Sequence, residues 1–106
     1  MSMRDYQEEV ERWVKQFNPP YWPALEQFAH LAEEVGEVGR ELNNIHGIKK
    51  KRADQEGKGL EGELFDVLFT VVCIANSHGI NLDEAWQRMM KDKMYGRDAN
   101  RFEKKS

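Results

Sequence analysis

With 106 residues the chain has room for one hydrophobic core, and its net charge of −3 gives no general attraction to nucleic acid or anionic membrane. A single cysteine, Cys73, excludes an intramolecular disulfide, and the longest apolar run, VLFTVVCIA, is too short to span a bilayer. The opening MSMRDYQEEV is too polar for a secretory signal, so a soluble cytoplasmic protein is expected.

The expected fold class is all-α: one domain over residues 1–106, four to five helices, and no strand alternation to compete with them. Helix 1 is predicted from Arg4 to Phe17, where Tyr6, Val10, Trp13, Val14 and Phe17 recur at helical spacing. NPPYWP breaks the chain, and Pro23 suits the start of helix 2, which runs to Ile45 or His46 with Gly47 as cap. Helix 2 carries an apolar stripe of Phe28, Leu31, Val35, Val38, Leu42 and Ile45. Its opposite flank is polar: Gln27, His30, Glu34, Glu37, Glu41 and Asn44.

Residues 47–59 read as a flexible polar loop containing Lys49 to Arg52, expected to be solvated rather than a lid over phosphates. Helix 3, from about Leu60 to Ser77, is apolar around most of its circumference. Only Glu63, Asp66, Thr70, Cys73 and Ser77 form a polar or small strip. Such a helix needs cover that three amphipathic neighbours cannot supply, so helices 2 and 3 are expected to form an antiparallel hairpin at the core of an oligomeric four-helix bundle. A homodimer or homotetramer is the expected assembly. Asn81 and Glu84 match a capping box opening helix 4, which is expected to reach Tyr95 before a basic tail over 97–106.

Glu34 and Glu37 form one i,i+3 carboxylate pair, and Glu63 and Asp66 form a second on the next long helix. Asp66 is the one charge within LFDVLFTVVCIA, and a charge embedded there needs a partner or a metal. Four carboxylates facing one another would repel unless a hard cation sat between them. An all-oxygen set without histidine or thiolate points to magnesium, with manganese as a substitute, and magnesium so held completes its shell with waters and phosphates. The bland reading of a lone Glu-x-x-Glu is a solvated helix face.

EEVGE, followed after 25 residues by ELFD, resembles the two-part acidic motif of the MazG-like, all-α nucleoside triphosphate pyrophosphohydrolases. The stretch DVLFTVVCIANSHGINLDEA is similar to the family's helix, short turn and helix beyond that motif, and RDANRF resembles the tail of its short bacterial members. The resemblance covers roughly Tyr21 to Phe102. It implies magnesium-dependent hydrolysis of a nucleoside triphosphate between the α and β phosphates, with Glu34, Glu37, Glu63 and Asp66 as metal ligands. Glu33 belongs to the motif but points off the ligand line, where it would orient a water or a second metal, or simply be solvated.

Cations must meet the triphosphate, and Lys93 and Arg97, then Arg101, are the candidates. An exposed basic helix end is the alternative reading. Many family members place a lysine and an asparagine four apart on this helix, where this chain has Met89 and Lys93. Trp22 could stack on a base, and His30, one turn before Glu34, could touch substrate. Trp13 reads as a packing residue, and Cys73 as a small buried hydrophobe rather than a nucleophile. Two rivals to the hydrolase stand: a non-catalytic helical interaction module that keeps the fold, and a hydrolase of another pyrophosphate-containing nucleotide metabolite.

Overall fold

The computed structural model describes residues 1–52 and 58–105; residues 53–57 of the predicted loop lie outside the described residues. The elements are α1 (Met3–Val14), α2 (Ala24–His46), α3 (Gly59–Ser77) and α4 (Leu82–Met89), the last continued by a π-helical segment (Met90–Arg97). No strand occurs among the described residues, so the chain is all-α as expected.

Local chemistry sets most of the boundaries. Ser2 and Asp5 cap α1 reciprocally: the Asp5 N–H donates to the Ser2 hydroxyl at 3.1 Å and the Ser2 N–H donates to the Asp5 carboxylate at 2.9 Å. Asp83 adds a second cap from α4, accepting from the Met3 and Arg4 N–H groups at 3.0 Å each. The helix stops at Val14, short of the predicted Phe17, because a residue before proline avoids helical backbone and Asn18 precedes Pro19. Asn81 caps α4 as expected, accepting from the Asp83 and Glu84 N–H groups at 3.0 and 3.1 Å. Beyond Met89 the hydrogen bonds widen to five residues, as in Asp98 N–H to the Lys93 carbonyl at 2.7 Å, where the sequence predicts a continuous α-helix to Tyr95.

The apolar core is small. Val10, Val14 and Val72 are buried, with Tyr21, Phe69, Cys73 and Leu82 packed against them. Polar side chains lock α1 to the end of α3. The Gln7 amide donates to Asn76 and to the Ile80 carbonyl at 2.8 Å each, and Asn76 donates back to the Gln7 carbonyl at 2.9 Å. The Tyr21 hydroxyl joins this network, donating to Glu11 and accepting from Asn76. Burial first, then the Glu11 contact, pushes the Tyr21 phenol up to about 12.

The α2–α3 hairpin turns an ordinary amphipathic arrangement inside out. The polar flank of α2 faces the polar strip of α3: Gln27 and Glu41 are buried on one side, Glu63 and Thr70 on the other. The apolar stripe lies outward, with Phe28 66% and Val35 54% exposed on α2, and Phe65 60% and Leu68 49% exposed on α3. The bulk dimensions agree. The accessible surface is 8623 Å², whereas a compact monomer of this mass shows roughly 6,200 Å². The radius of gyration is 17.3 Å, against about 13 Å for a compact domain of this length. Among the described residues no single helix is long and apolar enough to cross a membrane.

The expectation of a solvated basic loop fails at Lys51. Its ammonium pairs with the buried Glu41, and its backbone N–H donates to Asn44 at 3.0 Å. Lys50 reaches the Asn44 carbonyl at 2.9 Å. The buried Glu41 carboxylate needs a counter-charge, and the loop after α2 is the nearest supply of cations.

Candidate functional site

The inward-facing polar strips bring carboxylates from both helices together. One oxygen from each of Glu34, Glu63 and Asp66 lies within 4.8 Å of the others. The spacing is helical on both sides: Glu63 and Asp66 are one turn apart on α3, and Glu34 enters from the facing turn of α2. Glu63 is 5% exposed, and its Oε2 is buried without a hydrogen-bond partner among the described residues. An orphaned buried carboxylate oxygen costs stability unless a cation meets it. Burial, and then the neighbouring Asp66 charge, raise the Glu34 carboxyl above its ordinary range. The residues therefore fit a hard divalent cation: three oxygen donors, one buried and unsatisfied, with no sulfur or nitrogen donor in the group.

A cation of the chain already reaches this place. The Lys58 ammonium lies 2.6 Å from Asp66 Oδ2 and 4.0 Å from Glu63 Oε2. The Asp66 hydrogen bond holds that ammonium above the usual lysine range.

The fourth expected ligand, Glu37, lies one turn beyond Glu34 and pairs with Arg40 at 3.2 Å rather than joining the trio. Glu33 is exposed and borders a shallow depression with Trp22, Pro23 and His30. His30 contacts Glu34, Nε2 to Oε1, at 3.5 Å and sits edge-on to Trp22 with centroids 5.3 Å apart. Lys93, Arg97 and Arg101 gather elsewhere. Arg97 and Arg101 pair with Asp98 at 3.1 and 3.2 Å, and the Lys93 charge acts on the same carboxylate. Lys93 and Arg97 lie on the π-helical segment that continues α4, and Arg101 follows it.

Beside the trio opens an apolar cavity of about 390 Å³, walled by Trp13, Phe17, Tyr21, Trp22, Phe69 and Cys73 among others. His30 and Thr70 line it as well: His30 contacts the Glu34 carboxylate, and Thr70 lies one turn after Asp66 on α3, its hydroxyl donating to the Asp66 backbone carbonyl at 2.9 Å. Trp13, read from sequence as a packing residue, does pack edge-on against Phe69 with centroids 5.6 Å apart, but it is half exposed on this wall. Sequence spacing could have suggested it, since Trp13 and Phe17 are four apart ahead of the proline turn that carries Trp22. Burial pushes the Cys73 thiol up to about 11, so it stays protonated at neutral pH and is no nucleophile.

The arrangement is similar to known proteins over nearly its whole length. The family model described as the MazG nucleotide pyrophosphohydrolase domain matches residues 24–102. The protein YpjD of Bacillus subtilis (strain 168) is 44% identical over 104 residues, covering 98% of this chain and 93% of its own. The crystal structure of YPJD from Bacillus subtilis superposes with a TM-score of 0.77 over 88% of this chain and 95% of that one. The crystal structure of the Bacillus-conserved MazG protein, a nucleotide pyrophosphohydrolase, is 38% identical with a TM-score of 0.73, covering 86% of this chain and 87% of that one. With its acidic hairpin and a family match over most of its length, the chain belongs to the MazG nucleotide pyrophosphohydrolase domain family, hydrolases that act on pyrophosphate bonds.

Proposed function

We propose that the protein is a magnesium-dependent nucleoside triphosphate pyrophosphohydrolase, cleaving standard or non-standard triphosphates between the α and β phosphates to the monophosphate and pyrophosphate. The observation that carries this reading is an aromatic cavity beside the carboxylate trio, joined to it through His30, which lines the cavity and contacts the Glu34 carboxylate. An aromatic cavity suits a base, and a carboxylate set suits a metal that takes phosphate oxygens as further ligands.

Glu34, Glu63 and Asp66 would hold magnesium, or manganese in its place, and the ion would neutralise charge developing on the phosphates. Glu37 is available as a fourth ligand, because its contact with Arg40 is a partly exposed pair of the kind that contributes little. Glu33 stands at the rim, where it can orient water. Trp22 stacks on the base and His30 bridges the base cavity to the acidic group. Lys93, Arg97 and Arg101 gather about Asp98 away from the trio, so they take no part in this reading of the site.

The protein works as a homodimer, whose second copy covers the outward apolar stripes of α2 and α3. The surface in excess of a compact monomer, roughly 2,400 Å² per chain, is what an obligate interface would hide.

A panel of common and damaged nucleoside triphosphates, assayed for pyrophosphate with magnesium or manganese, tests the reading. At least one should yield monophosphate and pyrophosphate, and millimolar ion should raise Tm by binding only the native state. Silence in both measurements would favour a non-catalytic interaction module. Within an active pair, Trp22→Ala should raise KM roughly tenfold while kcat changes little, because a stacked base contributes on the order of 1–3 kcal/mol. An unchanged KM would remove Trp22 from the base site.

A further inference from the structure

We propose that the Lys58 ammonium is the resident counter-ion of the carboxylate trio, and that a divalent ion enters the site by displacing it. The inference rests on the metal-centre reading above and goes beyond it, since it assigns a role to a residue outside the acidic motif.

The placement of Lys58 is built rather than incidental. Gly59 adopts φ +76°, a left-handed backbone that favours glycine, and this turn sets Lys58 back over the first turns of α3. Gly62 then leaves room for the lysine stem: a Cβ built there would lie 2.4 Å from Lys58 Cβ, with Cγ and Cδ at 3.3 and 3.2 Å. Gly62 and Asp66 are four residues apart and share a face, so a stem lying over Gly62 delivers its ammonium to Asp66.

The contact is incomplete. Lys58 meets Asp66 at 2.6 Å but stands 4.0 Å from Glu63 Oε2, too far to hydrogen-bond the orphaned oxygen. The Lys58 ammonium hydrogen-bonds one of the three carboxylates. A divalent ion carries twice the charge and can be shared by all three, so it wins the site when present. The lysine can leave at small cost because its side chain is 61% exposed and regains water on release.

Calorimetric titration of Mn²⁺ into nucleotide-free protein separates the possibilities, with wild type compared to Lys58→Met and Gly62→Ala. The first variant removes the ammonium. The second keeps it but displaces Lys58 Cβ, and with it the backbone of the turn that aims the ammonium at Asp66. Both should bind Mn²⁺ more tightly than wild type, Lys58→Met by about tenfold, as expected for relieving one unit charge at a few ångströms. Wild-type affinity in both variants, or weaker binding in both, would overturn the role of Lys58 and leave the metal centre standing. Failure of all three proteins to take up Mn²⁺ would overturn the metal centre, and the displacement with it.

Discussion

Glu63→Gln is expected to lower pyrophosphate release by at least about a thousandfold while the metal-free protein melts no lower than wild type. The two halves of this result have one cause. Glu63 is 5% exposed, and its Oε2 has no hydrogen-bond partner among the described residues. Without a metal it is a buried charge near two others, Glu34 and Asp66. The amide removes the charge and adds an N–H donor that either neighbouring carboxylate can accept, which relieves a penalty of about 1–3 kcal/mol for a buried unsatisfied group. The same exchange removes a donor for a hard cation, and charge neutralisation by that cation is worth several kcal/mol in phosphoryl chemistry, hence the loss of three decades. Differential scanning fluorimetry and the pyrophosphate assay on one preparation check both arms. Asp66→Asn should lose turnover equally but gain less stability, because wild-type Asp66 already has Lys58 at 2.6 Å. Retention of turnover in Glu63→Gln would mean that the trio is not the reacting centre.

Leu68→Glu is expected to convert the wild-type assembly into a single chain of 12.5 kDa in sedimentation velocity. Leu68 sits midway along α3 on its outward face, 49% exposed and flanked by Phe65 and Val71 on the same side. A glutamate there would be unpaired and desolvated at the centre of the interface, a cost that exceeds what the surrounding apolar contacts return. Wild type should run at about 25 kDa or its double, two chains or four. A wild-type protein that sediments as one chain would sink the dimer, and the outward apolar stripes would then have no occupant.

The starts of α2 and α4 and the acidic pairs are legible in local pattern alone. Each depends on contacts within a turn or two: Pro23 ahead of α2, Asn81 bonding the Asp83 and Glu84 amides, glutamates three apart on one face. The stripes of α2 are legible too, but their orientation is not. Periodicity says which side chains share a face and is silent on which face meets a neighbour. An isolated hairpin would bury its apolar stripes; here Gln27, Glu41, Glu63 and Thr70 are buried instead. The π-helical ending of α4 also carries no signal, because a widened turn changes no residue type in the pattern.

The sequence by itself determined an all-α chain with two acidic helices, since those features come from local propensity and short-range spacing. Only the tertiary structure decided that Glu34 joins Glu63 and Asp66 while Glu37 turns to Arg40, that Lys58 reaches the group, and that Trp13 walls a cavity. Those outcomes depend on how far each helix is rotated about its axis when it packs. That rotation is set by the sum of many contacts between residues distant in sequence, and no local pattern records it.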